Sequence, residues 1–279
     1  MTARWESTDD APHIHTRGWG YLRAVLRGVP LIVLITVCLV LLLLVRLIER
    51  PLCGAGRPVT PYITQFVCRN AFRILGIGYI VEGTPMAGPG AVVANHSSWL
   101  DIFALNASKR IYFVSKDEVA GWPGIGALAK ATGTVFIKRD RRQAVAQIDV
   151  FRSRLAAGHK LLFFPEGTST DGLRVLPFKP TLFAAFFDPA LRQSLMLQAV
   201  SVIYHEPDGA DRRFYGWWGD MALAPHLLST LAARKQGRIV VRYHDPVRLT
   251  DHDDRKSLAK TLEDRVRSGL AAHGRLEAD

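Results

Sequence analysis

The chain of 279 residues carries 36 Lys and Arg against 25 Asp and Glu, a net charge of +11, with 48% hydrophobic and 22% charged residues. That composition excludes a disordered, collagen-like or coiled-coil chain and supplies enough apolar material for a core, as one domain with an appendage or as two small domains. Cys38, Cys53 and Cys68 form no C-x-x-C pair, which excludes a disulfide framework and a cysteine-rich zinc site and fits a reducing compartment. The basic excess needs an acidic partner, and nucleic acid, anionic lipid and phosphorylated substrates all satisfy it.

Residues 1–28 read as an N-terminal tail and residues 29–76 as a membrane segment. From Val29 to Val45 the chain runs 17 residues without a charge. As a helix this spans roughly 26 Å, slightly short of a ~30 Å hydrocarbon core. Gly28, Leu47, Ile48 and a snorkelling Arg46 close the gap. A signal peptide fits less well, because the run starts late, carries no A-x-A-like cleavage site and continues into arginines. Leu41–Leu44 is apolar on every face, which argues against a buried core helix. Arg17, Arg23 and Arg27 precede the run and Arg46, Arg50 and Arg57 follow it, so the positive-inside rule is balanced. A single span and a re-entrant or interfacial segment both fit. After Pro51 and Pro58, residues Tyr62, Ile63, Phe66, Val67, Ile74 and Leu75 recur at helical spacing. This amphipathic helix suits either the core or the headgroup level of a membrane.

Residues 77–279 alternate. Strand-length apolar runs occur at Tyr79–Val81, Ala91–Ala94, Ile111–Val114, Val135–Ile137, Leu161–Phe164, Leu197–Tyr204 and Ile239–Tyr243. Helical patterns lie between them, near Leu100–Asn106, Gly124–Ala131, Val145–Leu155, Leu182–Phe187 and Leu223–Ala233, and Leu258, Leu262, Val266 and Leu270 mark a last helix. The predicted fold class is α/β: a mostly parallel sheet flanked by helices, with an N-terminal membrane-associated helical segment.

Four stretches bear on chemistry, of which the fourth, Leu176-Pro177-Phe178-Lys179 followed by the apolar strand Leu197–Tyr204, is uninformative in isolation. In Asn95-His96-Ser97-Ser98-Trp99-Leu100-Asp101 a histidine follows a strand, where α/β sites form. In an unbroken helix Asp101 would lie ~140° around the axis from His96. A turn with Ser97 or Ser98 as N-cap would bring the two together, and the carboxylate would fix the imidazole tautomer. The alternative is a capping serine beside a structural histidine. The second stretch, Gly133-Thr134-Val135-Phe136-Ile137-Lys138-Arg139, ends a strand in cations able to grip a phosphate, although a solvated charge run looks the same. The third, Phe164-Pro165-Glu166-Gly167-Thr168-Ser169, takes an apolar strand into a turn where Gly167 permits an anion-binding nest.

Together these stretches resemble the glycerolipid acyltransferase family, whose marks are N-H-x-x-x-x-D, G-x-x-F-I-x-R and F-P-E-G-T-[RS] in that order. The match runs through Asn95, His96 and Asp101, then Gly133, Phe136, Ile137 and Arg139, then Phe164 to Ser169, over about residues 78 to 205. Two features depart from the pattern: Phe178-Lys179-Pro180-Thr181 lacks a Gly-Ala pair, and Ala199 stands where a proline is usual. Lys116–Pro123 and Trp217-Trp218-Gly219-Asp220-Met221 are similar to a bacterial branch that includes enzymes acylating lyso-ornithine lipids.

The resemblance implies acyl transfer from acyl-CoA or acyl carrier protein to the hydroxyl of a lysophospholipid, first of all lysophosphatidic acid, with lyso-ornithine lipid as the alternative acceptor. His96 is implied as general base and Asp101 as its orienting carboxylate. Asn95, Gly133, Phe136, Lys138, Arg139, Glu166, Gly167, Thr168, Ser169 and Lys179 are implied on the substrate side, with Arg139 and Lys138 on the phosphate. No cofactor and no metal are implied. The expected partners are membrane lipid, the lysolipid and the acyl donor, without nucleic acid, at the cytoplasmic face of the inner membrane. Two other classes compete: a metal-dependent hydrolase using His96 and Asp101 as ligands, and a non-enzymatic tether for anionic lipid.

Overall fold

A computed structural model describes residues 5–7, 12, 16, 18–88, 90–137, 144–193 and 195–277. Two helices open the chain, α1 (Trp19–Cys53) and α2 (Thr60–Leu75). Helix α1 begins ahead of residue 29, so part of the expected tail is helical. Helix α2 starts with Pro61 in its first turn and stops at Gly76, whose φ of 75° provides the left-handed cap. The two helices run antiparallel. At one end the Glu49 carboxylate accepts hydrogen bonds from Val59 N (2.7 Å), Thr60 N (3.1 Å) and Thr60 Oγ1 (2.7 Å). At the other, the Arg27 guanidinium lies beside Gly76.

Next come β1 (Gly78–Glu82), β2 (Gly90–Ala94), α3 (Asp101–Ser108), β3 (Tyr112–Lys116), α4 (Ile125–Thr132), β4 (Val135–Ile137), α5 (Ala144–Ala156) and β5 (Leu161–Phe163). The chain ends with α6 (Pro189–Arg192), β6 (Met196–His205), α7 (Leu223–Ala232), β7 (Arg238–Tyr243), β8 (Val247–Arg248) and α8 (Arg255–Ala272). The helical pattern expected near Leu182–Phe187 lies in a 3-10 helix, Pro180–Phe187, that opens on Pro180. The short strand β8 was not expected.

The strands form one sheet in the order β1-β7-β6-β2-β5-β3-β4, with β8 also paired to β6. Strand β2 is parallel to β5 and β6, β3 is parallel to β4 and β5, and β1 is parallel to β7. Strands β7 and β8 run antiparallel to β6. The sheet is therefore mixed and mainly parallel.

Strand β2 is buried throughout and feeds both faces by its two-residue period. Val92 and Ala94 enter the core shared with residues of α1, α2, α3 and α7. Ala91 and Val93 enter the core built with α5, the 180–187 turn and α8. On α8 the side chains of Leu258, Leu262, Val266 and Leu270 are fully buried. Each such side chain contributes about 1.5–3 kcal/mol relative to exposure. Asp254 caps this helix by accepting from Lys256 N (2.9 Å) and Ser257 N (2.8 Å).

Helix α1 is held along its length. Arg23 Nε donates to Ala232 O (2.8 Å), and Arg27 Nη1 donates to Leu231 O (2.8 Å) and Ala233 O (2.7 Å), so both arginines satisfy carbonyls at the end of α7. The inward side chains Ala24 and Leu31 join the core, while Ile32, Val33, Val37, Val40, Leu44 and Ile48 are exposed. The helix is long and apolar enough to cross a membrane.

Candidate active site

The parallel strands β2, β5, β3 and β4 end on the same edge of the sheet, where ligands bind in α/β folds. Residues 95–100 leave β2 there and turn into α3. The residue before that helix, Leu100, has no capping side chain, but Ser98 Oγ accepts from Leu100 N (3.3 Å), so one of the two expected serines does bond the backbone at the helix start. The turn wraps around the Asp101 carboxylate. Asp101 Oδ2 accepts from Ser97 N (2.9 Å) and Ser98 N (3.1 Å) and pairs with His96 Nδ1 (2.7 Å). Asp101 Oδ1 accepts a hydrogen bond from the Tyr204 hydroxyl on β6. A fully buried carboxylate thus has donors on both oxygens.

The His96 ring stacks on Phe164, with centroids 4.2 Å apart and planes 14° from parallel. Its backbone is fixed as well: His96 N donates to Glu166 Oε1 (2.7 Å), and His96 O accepts from Thr170 N (2.9 Å). With Nδ1 directed at Asp101, Nε2 is the nitrogen left for chemistry, and the ring lines an open cleft of about 920 Å³. Gly167, Thr168 and Ser169 line the same cleft. One wall comes from Val114–Lys116, Val119, Trp122 and Ile125, the other from Trp217, Gly219, Asp220, Met221 and Leu223. Phe151, Phe163, Phe164 and Leu182 give it an apolar interior.

Other residues expected on the substrate side stand elsewhere. Asn95 is fully buried; its Nδ2 donates to Val202 O (2.9 Å) and its Oδ1 accepts from Val202 N (2.8 Å), pinning the end of β2 to β6. Glu166 is buried behind the cleft, with its oxygens accepting from His96 N and from Leu176 N (2.8 Å). Burial pushes its carboxyl up to about 8; the two backbone donors pull it down, and Asp101 adds to the rise. Gly133 caps α4 at the far end of β4 with φ +87°, and the Arg57 guanidinium packs against it. Phe136 points away from the cleft, while its neighbour Ile137 lines it. Lys179 is exposed and outside the lining; its backbone N donates to Pro165 O (3.0 Å). Lys138 and Arg139 lie outside the described residues. Among the described residues no three His, Cys, Asp or Glu side chains are placed to hold a metal ion.

Residues 79–203 match the family model described as Acyltransferase. A lyso-ornithine lipid O-acyltransferase from Rhodobacter capsulatus is 54% identical over 267 residues, 96% of this chain and 95% of that protein. The chain belongs to the acyltransferase family. A second lyso-ornithine lipid O-acyltransferase, from Brucella abortus, is 40% identical to this acyltransferase over 78% of the chain and 83% of that protein. A 1-acyl-sn-glycerol-3-phosphate acyltransferase from Neisseria gonorrhoeae is 32% identical over 73% and 78%. The fold is similar to the crystal structure of the 1-acyl-sn-glycerophosphate (LPA) acyltransferase PlsC from Thermotoga maritima, with a TM-score of 0.57 and 20% identity over 91% of this chain and all of that one.

Sequence reasoning missed Tyr204 as part of the acyltransferase site. It closed an expected apolar strand and read as core, and its partner lies 103 positions away. It missed Glu6, which lines the cleft from within the expected tail.

Proposed function

We propose that this acyltransferase moves a fatty acyl group from a thioester donor, acyl-CoA or acyl carrier protein, to the free hydroxyl of lyso-ornithine lipid. The observation that carries the reaction is the His96–Asp101 pair, 2.7 Å apart, with the ring facing an apolar-walled cleft. The acceptor reading is supported by the Rhodobacter capsulatus relative, whose similarity extends over 96% of the chain. Lysophosphatidic acid is the second reading, favoured by the Neisseria gonorrhoeae relative.

In this reading Nδ1–H of His96 donates to Asp101 and Nε2 accepts the acceptor's hydroxyl proton as the oxygen attacks the thioester carbonyl. The C–O bond forms, the tetrahedral intermediate collapses with loss of the C–S bond, and the imidazolium returns its proton to the departing thiolate. A thioester is already activated, so no side-chain nucleophile is needed. Asp101 orients the ring and stabilises its charged form. Phe164 and Glu166 hold ring and backbone in place, and Gly167, Thr168 and Ser169 meet the substrates. The family resemblance gives Lys138 and Arg139 the acceptor's anionic group. The chain works at the cytoplasmic face of the inner membrane, where thioester donors and lipid acceptors meet.

The test offers labelled acyl-CoA and acyl carrier protein with a panel of lysolipids to the purified full chain, wild type beside His96→Ala. Turnover of lyso-ornithine lipid is expected, with a loss of ~10²-fold or more in the variant and intact membrane binding. Near-normal transfer by His96→Ala refutes the base role.

A further inference from the structure

Residues Trp5–Ser7 lie along the rim of the cleft on a seat made by the third motif and the Trp217–Met221 segment. The Trp5 ring packs on Trp218, with centroids 6.2 Å apart and planes 56° apart. The Arg174 guanidinium stands 5.0 Å from the centre of the Trp5 ring. Trp5 N is directed at Thr168 Oγ1, 3.5 Å away. The seat is itself rigid: Trp218 is buried, and Arg174 is fixed by the buried Asp171 at 3.0 Å. Gly219, at φ +57°, leaves the space next to Trp5 O and Glu6 Cγ clear of any side chain.

So seated, the segment carries Glu6 into the lining of the cleft that holds His96. Among the described residues the Glu6 carboxylate has no hydrogen-bond or ion-pair partner. Its charged companions in the lining are Lys116, Glu118 and Asp220, and Lys116 lies 3.8 Å from Glu118.

We infer that Trp5–Ser7 is a wall of the acceptor site, seated by Trp5, and that Glu6 selects an acceptor whose headgroup carries an ammonium. The inference rests on the lyso-ornithine lipid reading. Ornithine has two amines, so with one acylated an ammonium remains to meet the carboxylate. A phosphate headgroup meets repulsion at the same point, and discrimination arises from both contacts. Trp5 is a positioning residue: it acts through Glu6 and Thr168. The pairing also explains why the Trp217–Met221 segment carries a second tryptophan that does not line the cleft.

The experiment measures kcat and KM of the purified full chain with lyso-ornithine lipid and with lysophosphatidic acid for wild type, Glu6→Gln, Glu6→Lys, Trp5→Ala and Trp5→Phe. For Glu6→Gln the ratio of kcat/KM for lyso-ornithine lipid to that for lysophosphatidic acid is expected to fall about 10-fold, chiefly through KM, and Glu6→Lys to lower it further. Trp5→Ala should lower the ratio similarly and speed amide hydrogen exchange at residues 167–174, with Trp5→Phe restoring both. If wild type prefers lyso-ornithine lipid and all variants keep its ratio, the inference is overturned and the acceptor reading survives. If wild type does not acylate lyso-ornithine lipid, the acceptor reading falls and headgroup selection by Glu6 falls with it.

Discussion

The Tyr204 hydroxyl donates a hydrogen bond to Asp101 Oδ1, the carboxylate oxygen that His96 does not use. The pair joins the middle of the sheet to the catalytic turn. Burial first, and the Asp101 charge second, push the Tyr204 phenol well above its ordinary value, so it stays a donor across the working pH range. Tyr204→Phe keeps the ring and removes the donor, leaving a buried carboxylate oxygen unsatisfied at a cost of about 1–3 kcal/mol. A lower Tm and a kcat reduced by about 10-fold are expected, with acceptor KM little altered. Wild-type kcat in this variant would show that Asp101 orients His96 without the phenol.

Glu166 couples the fold to pH. Its carboxyl titrates at about 8 in the native chain, chiefly because it is buried, against ~4.3 when unfolded. Between those values the native state holds a proton that the unfolded state has lost. The stabilisation is therefore complete below the unfolded value and declines as pH rises, at up to about 1.4 kcal/mol per pH unit, until about 8. Tm is expected to fall from pH 5 to 8 in the wild type and to fall less in Glu166→Gln. Identical slopes in thermal melts would remove Glu166 from the pH dependence.

At Gly133 the left-handed backbone disfavours a side chain, and a Cβ would lie 2.9 Å from Arg57 Cζ, so the arginine's flexible end would have to shift. Gly133→Ala is expected to cost about 1–2 kcal/mol. Part of that is steric, so the loss should shrink in an Arg57→Ala background, and a double-mutant cycle in urea reads the difference. Strict additivity would mean that the backbone alone accounts for the glycine.

His226 guards the acid side. Trp99 Nε1 donates to His226 Nδ1 (3.0 Å), a bond that requires an unprotonated imidazole. Burial holds His226 down at about 4, while an unfolded histidine titrates near ~6.5. The contribution is thus fully present above the unfolded value and lost as pH falls through the native one. A reversible loss of activity and of near-ultraviolet signal is expected toward pH 4. His226→Gln should flatten that acid limb.

The strands and most helices were legible because period-2 and period-3.6 patterns are local. Val135–Ile137 matches its expected bounds, and the others differ by a residue or two. His96 and Asp101 were legible because five positions of sequence contain both, and the turn closes through the backbone N–H groups of Ser97 and Ser98 on Asp101 as well as through the Ser98 hydroxyl on Leu100 N. What escaped was long-range. Asn95 belongs to its motif because it clamps Val202, 107 positions on, and Glu166 belongs to its own because it holds His96 N, 70 positions back. A motif records that a residue type is required, and only the packed sheet distinguishes a residue that meets substrate from one that holds its neighbour. Pro180–Phe187 has helical spacing over too few residues to separate a 3-10 helix from an α-helix.

Helix α1 is secured to the same body at Arg23 and Arg27 near its start and at Glu49 near its end, with α2 alongside. The helix leaves one flank uncovered, with Ile32, Val33, Val37, Val40 and Leu44 turned outward together, as a surface for lipid requires. Were that flank to rest in one leaflet, the height of His96 above the acyl chains would be set by how deep it sinks. Activity on vesicles would then answer to the lateral packing of headgroups more than to bilayer thickness, and the reverse dependence would speak for a helix that spans.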